Sequence, residues 1–334
     1  MIRYKSWAIP EGNVVKVTDE SGAVIWAVKS GSKAVLQVAK QTLDTYAGET
    51  TYTGESFVAI DVYPKTNGTV KVTYGGLTKT IKDTSGAENP NAQLVYFGTL
   101  YGVSDSVTTP ASGELTIEGD FNAFGCGGYC ESAKNVNLGT YVYCGCITAV
   151  NDWGEVTTIP SNAFYNCSSL ALTSLPSGIT SIGSYAFYKC SSITLTSLPS
   201  GITSIGGYAF QYCNGLTSVV VPEGVVSVGT GAFNGCDKLA NLTLPATLQT
   251  IGDSVAHKLD ISGAVGITLR VLATTPPTCQ SENPHLVQKL GGLGAENVII
   301  VPKGCLSAYK SAYGWSEYAE VANNVNLVVM KEAS

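Results

Sequence analysis

This chain is poor in charge. Lys, Arg, Asp and Glu together make up 13% of its 334 residues, about half the ~25% of an average soluble domain. The net charge is −6 and no cluster of Lys or Arg is present. A nucleic-acid partner, whose phosphates must be neutralised, is therefore not expected. Histidine is scarcer still. His257 and His285 stand alone, and neither sits in HExxH or a comparable metal spacing. No G-x-S-x-G elbow occurs. The stretch "KLGGLGAEN" is glycine-rich but lacks the G-x-G-x-x-G spacing and a strand-then-helix setting. Asp and Glu are frequent early in the chain, yet nothing marks one pair as an acid/base couple. The expectation is a protein that is no enzyme and carries no cofactor and no metal. No apolar run reaches the ~18 residues of a membrane span, so insertion into a bilayer is not expected either. The opening "MIRYKSWAIPEG" has no apolar core of a secretory signal. Export by another route, or a leader already removed, is the reading.

Gly, Ser and Thr fill the space that charge leaves, with 37 glycines in all. That composition favours strands and turns over charged helices. One phrase is repeated: "LTSLPSGITSIG" occupies 172–183 and again 195–206. The period is 23 and extends further. Ala163-Phe164, Ala186-Phe187, Ala209-Phe210 and Ala232-Phe233 share it, as do Cys167, Cys190, Cys213 and Cys236. Leu170, Ile193, Leu216 and Leu239 follow, then Pro176, Pro199, Pro222 and Pro245, then Gly183, Gly206, Gly229 and Gly252. A unit this short cannot bury its own apolar side chains, so neighbours must stack. Val219 and Val221, with Leu242 and Leu244, suit an inward-facing strand that Pro closes. The glycine after each "ITSI" suits a turn with positive φ.

These "AF..C..L/I" and "LP..I.SIG" blocks, over about 156–256, resemble the BspA-like (Treponema-type) leucine-rich repeats of bacterial surface proteins. The resemblance implies a mainly β fold built as a leucine-rich-repeat solenoid. Two departures stand out. Thr173 and Thr196 occupy the place of Val219 and Leu242, and "DSVAHKLD" after Gly252 has lost its Ala-Phe pair, so the regular stack is expected to end there. The segments "LRVLATTPPT" and "NVIIVPKGCLSAYKSAYGWSEYAEV" look like the closing piece common in that family, with Tyr309, Tyr313, Trp315 and Tyr318 covering the open end.

Upstream, "SFVAIDVYP", "GTVKVTYGGLTKTIKD", "AQLVYFGTLYG" and "GELTIEGDF" alternate between turn clusters. They read as an N-terminal Ig-like β-sandwich, similar to the accessory domains of surface proteins and phage appendages. Before it, "IPEGNVVKVTDESGAVIWAV" reads as a hairpin with its turn at Asp19–Gly22; it resembles N-terminal pieces of phage-tail proteins. The expected division is a hairpin over 1–30, the sandwich over 31–120, the solenoid over 121–272 (regular units 161–256), and a capping segment over 273–334. Ala123-Phe124 looks like an edited repeat serving as an N-terminal cap.

Cys126, Cys130, Cys144 and Cys146 form C-x3-C-x13-C-x-C. Buried thiols, a disulfide or a structural zinc all fit, although the usual zinc-knuckle C-x2-C is missing. The cysteines at period 23 read as packing. What remains for function is surface. Leu172/Ser174, Leu195/Ser197, Ser218/Val220 and Asn241/Thr243 flank the inward strand positions and are expected to line one neutral sheet face. Tyr165 with Tyr188, and Tyr185 with Tyr208, are expected to form ladders suited to recognition. The candidate ligand-binding residues are therefore Tyr165, Tyr185, Tyr188, Tyr208, Ser174, Ser197, Ser218, Asn241 and Thr243. The function expected is non-catalytic recognition or adhesion at a bacterial cell surface, with a host or bacterial surface protein or glycan as partner. The alternative is a phage or prophage tail-associated receptor binder, placing the chain outside the cell or on a virion.

Overall fold

The computed structural model describes residues 14–18, 24–29, 32–47, 50–87, 92–100, 103–105, 108–126, 146–257, 266–280, 297–318 and 328–333. The turn at 19–22, Cys130, Cys144, His285 and most of "KLGGLGAEN" lie outside the described residues.

The strands β1 (Val14–Thr18) and β2 (Val24–Lys29) pair antiparallel. There follow β3 (Ser32–Ala39), β4 (Gln41–Ala47), β5 (Thr50–Pro64), β6 (Thr69–Tyr74), β7 (Leu77–Lys82), β8 (Gln93–Leu100), β9 (Val103–Ser104), β10 (Ser112–Gly119), β11 (Phe121–Gly125) and β12 (Ile147–Asp152). They form two antiparallel sheets, ordered β12-β3-β10-β6-β7 and β11-β5-β8-β9, with β4 beside β5. Alternation decides the facing. In β6, Val70, Val72 and Tyr74 are buried while Thr69 and Lys71 are exposed. Tyr74 meets Phe97 of the second sheet edge-on at 5.8 Å, so the two inner faces share one core.

Short parallel strands then build the solenoid. One sheet runs through β13 (Thr158–Ile159), β14 (Ser181–Ile182), β15 (Ser204–Ile205), β17 (Ser227–Val228), β19 (Thr250–Ile251) and β21 (Thr278–Cys279). The other runs through β16 (Ser218–Val220), β18 (Asn241–Leu244), β20 (Thr268–Val271), β22 (Asn297–Val301) and β23 (Val328–Glu332). Between them Phe164, Phe187, Phe210 and Phe233 line up along one axis, with successive centroids 5.2, 5.2 and 5.3 Å apart and ring planes within 10°. The cysteines pack beside them. Cys190, Cys213 and Cys236 each donate from Sγ to the carbonyl of Phe164, Phe187 and Phe210, at 3.0 Å every time.

Three expectations are corrected. Gly183, Gly206, Gly229 and Gly252 do not take positive φ. Each is glycine because a Cβ would strike the backbone of the preceding coil, at Ser161, Ser184, Gly207 and Thr230. Leu172 and Leu195 do not line an outer face. They are buried, and Thr173 and Thr196 are exposed in their stead; the first two units form no strand at these positions, which lets an apolar side chain one residue earlier turn inward. The 23-residue spacing stops after Gly252, while parallel ladders run on at wider intervals, pairing Asn241 with Thr268 and Thr250 with Thr278. Backbone pairing needs no Ala-Phe pair, and Phe233 N–H finds the carbonyl of Val255 instead. At the far end, α1 (Leu306–Ser311) and a 3-10 turn at Ser316–Tyr318 bury Tyr309, Trp315 and Tyr318, but Tyr313 is 60% exposed and does not share that burial. The buried phenol and indole find acceptors: Tyr309 Oη donates to Ala273 O and Trp315 Nε1 to Pro277 O.

The antiparallel module and the solenoid share strands and core. β12 pairs with β3, while Thr148 O on the same strand accepts from Ala171 N–H, 23 residues on, as a preceding coil would. Cys126, just after β11, donates its N–H to Ala163 O at 2.7 Å. Phe124 and Trp153 close the ring column, both edge-on to Phe164 at 6.3 and 5.7 Å.

Candidate functional site

Each coil carries a third, turn-built side, whose backbone explains what it displays. Two positions per coil adopt left-handed φ in register. The first column holds Asn162, Tyr185, Tyr208, Gly231 and Ser254; the second holds Asn166, Lys189, Tyr212 and Gly235. L-residues with large side chains avoid this region. It is held here by ladder bonds between coils, such as Tyr185 N–H to Gly207 O, Tyr208 N–H to Thr230 O and Tyr212 N–H to Asn234 O.

Between these columns stand Tyr165, Tyr188, Gln211 and Asn234 at the same spacing. The rings form one cluster. Tyr165 stacks on Tyr188 at 4.4 Å, and Tyr185 stacks on Tyr208 at 4.9 Å. Tyr185 and Tyr188 meet edge-on at 5.8 Å, and Tyr212 meets Tyr188 edge-on at 5.4 Å. Lys189 Nζ lies 5.4 Å from the Tyr188 centroid and 5.8 Å from that of Tyr212, a cation–π arrangement. The Tyr208 and Tyr212 rings reach over Gly231 and Gly235, into the space a Cβ would need. Because ring faces are spent on one another, edges and half-buried phenol groups are what the cluster offers. Burial, with Tyr208 and Tyr188 nearby, raises the Tyr185 phenol above its ordinary range, so it stays a neutral donor. At the end of the cluster Asn234 is 9% exposed, and its Oδ1 is buried with no hydrogen-bond partner. An orphaned buried acceptor is costly.

The remaining candidates lie elsewhere. Ser174, Ser197 and Asn241 are exposed, and Ser218 and Thr243 half-buried, on the β16–β18 side. Ser197, Val220 and Thr243 share one register there, with Val220 48% exposed. The structure thus brings the four candidate tyrosines together and separates them from the five hydroxyl and amide candidates. Sequence reasoning missed Tyr212, Lys189, Gln211 and Asn234, although all obey the 23-residue period. It also missed a shallow groove of about 510 Å³ on the other sheet, where Ser181, Ser204 and Ser227 alternate with Gly183, Gly206 and Gly229. Among the described residues no group of His, Cys, Asp and Glu is placed to hold a metal ion.

A family model described as BspA type Leucine rich repeat region matches residues 134–261 in six copies. No curated protein matches the chain. Among solved structures, it is similar to a leucine-rich repeat protein of T. pallidum, at 27% identity and a TM-score of 0.28, covering 35% of this chain and 67% of that one. A leucine-rich repeat protein from Bacteroides ovatus shares 20% identity over 53% of this chain and 58% of its own, with a TM-score of 0.26. A leucine rich cell surface protein from Faecalibacterium prausnitzii shares 21% over 45% of this chain and 54% of its own, with a TM-score of 0.29. The chain thus spans little more than half the length of the last two. The regular coils lie within the residues that match the BspA-type model.

Proposed function

We propose that this chain is a non-catalytic recognition protein of a bacterial cell surface, binding a protein or glycan partner through the left-handed side of its solenoid. One observation carries the reading. Tyr185, Tyr208 and Tyr212 occupy left-handed positions where Gly231 and Gly235 suffice further along the same columns. Glycine closes the coil without strain, whereas each tyrosine costs about 1–2 kcal/mol of backbone energy. Strain retained in a half-buried array of phenol edges, beside a cation and an orphaned amide, fits a surface kept for contact. The BspA-type match over the same coils supports the bacterial surface address. The antiparallel module ahead of the coils reads as an immunoglobulin-like spacer that holds the repeats out toward a partner.

The test is a screen of the purified chain on arrays of glycans and of host and bacterial surface proteins. Saturable binding is expected, weakened at least about tenfold in Tyr208→Ala and Tyr212→Ala, each worth ~1.4 kcal/mol or more. Binding that survives both substitutions but is lost in Ser197→Arg or Thr243→Arg would move the site to the sheet face. No saturable binding at all would make the chain a spacer and sink the proposal.

A further inference from the structure

We infer that Cys126 and Cys167 are the site of a covalent cross-link: a disulfide that staples the antiparallel module to the first regular coil. Three observations point to it. Their Sγ atoms lie 3.0 Å apart, both buried, well inside the separation of two sulfurs in ordinary contact and about 1 Å from a bonded pair. The register is that of neighbouring coils. Ala163 O takes the Cys126 N–H just as Ala186 O takes that of Phe164, so Cys126 stands where a preceding coil would put its Phe. Four other buried thiols face carbonyls: Cys190, Cys213 and Cys236 donate to Phe164, Phe187 and Phe210, and Cys146 donates to Ala59 O at 2.9 Å. For Cys167, the partner at the same 3.0 Å is the second sulfur.

Cys146 also interacts with Cys126 through its side chain, so a second pairing competes, and the peptide map below separates the two. The reaction balances with an external disulfide as oxidant, either a small-molecule disulfide or the active-site disulfide of a thiol oxidoreductase. One thiolate attacks it, giving a mixed disulfide. The second thiolate then displaces the oxidant sulfur. Two protons and two electrons leave the pair, one S–S bond forms, and the oxidant's S–S bond becomes two thiols. Burial keeps folded thiols of this core protonated, and the thiolate is the nucleophile. Exchange therefore takes place before the first coil closes onto β11, during folding.

The experiment refolds the full chain in a mixture of reduced and oxidised glutathione, blocks remaining thiols, and maps peptides without reduction. The expected result is a peptide joining Cys126 to Cys167 and an intact mass lower by two hydrogens than after reduction. Oxidation should raise the thermal midpoint, and Cys167→Ser should abolish that difference. Should Cys167→Ser fail to fold, Cys190→Ser serves in its place: it must retain the linked peptide and the redox-dependent midpoint. A peptide joining Cys126 to Cys130, Cys144 or Cys146, or recovery of both Cys126 and Cys167 as thiols, would overturn the assignment.

Discussion

Gly231 shows how one residue is constrained from two directions. Its φ is +62°, and a Cβ there would come within 2.5 Å of the Tyr208 ring. Gly231→Ala should cost about 1–2 kcal/mol through the left-handed backbone, and more if the ring cannot swing away. Tyr208→Gly relieves the backbone while losing a ring stack worth about 0.5–1.5 kcal/mol, so its net effect on stability should be within ~1 kcal/mol. Urea denaturation of both variants checks the pair; a large loss in Tyr208→Gly would mean the ring is structural rather than kept for contact. The buried thiols set a pH limit. Burial pushes the Cys190 and Cys213 thiols up from their ordinary range. They stay protonated in the folded chain while the unfolded chain ionises, so their contribution is complete below about pH 8.5 and declines above it. The slope is ~1.4 kcal/mol per pH unit for each such thiol. Urea midpoints at about pH 7.5 and 9.5 should therefore differ; Cys213→Ala should flatten the dependence, and a flat profile in the parent chain would contradict it.

Among the elements, the Phe column is the most demanding. Phe187 is covered on both faces by Phe164 and Phe210, so Phe187→Ala should cost about 3–5 kcal/mol. Because each coil contacts chiefly its neighbours, loss at one rung weakens the adjacent rungs first. Hydrogen exchange should show it as lost protection around Phe164 and Phe210 before Leu269 or Val301. Much of this element was legible from spacing, since residues recurring every 23 positions must recur in space. The glycine column was read for the wrong reason. A repeated glycine is equally consistent with positive φ and with close passage of a neighbouring chain, and only the neighbour's position distinguishes them. Thr173 and Thr196 misled similarly: the segment there is irregular rather than a strand, and the burial of Leu172 and Leu195 shows that the core, not the column of letters, decides which side chain points inward.

Across the molecule, the antiparallel module and the coils are coupled through β11, β12 and the Phe124–Trp153–Phe164 cluster. A chain beginning at Val156 would strip Phe124 and Trp153 from Phe164 and leave the Ala163 carbonyl without the Cys126 N–H, opening apolar surface at the end of the stack. It should aggregate, or lose protection in its first coil, by light scattering and hydrogen exchange. A truncated chain that stays monomeric, with a first coil as protected as in the full chain, would show the module to be dispensable.

The period alone dictated that coils stack, that phenylalanine and cysteine run inward in columns, and that tyrosines recur along one side. These follow from local repetition, because equal spacing in a chain of equal coils puts equal residues in line. The meeting of Cys126 with Cys167, the second role of β12, and the gathering of Tyr185, Tyr188, Tyr208, Tyr212 and Lys189 into one surface depend on where distant backbone comes to rest. Those arrangements are set by the path of neighbouring coils and by the module that covers their end, and neither has a periodic trace in the letters.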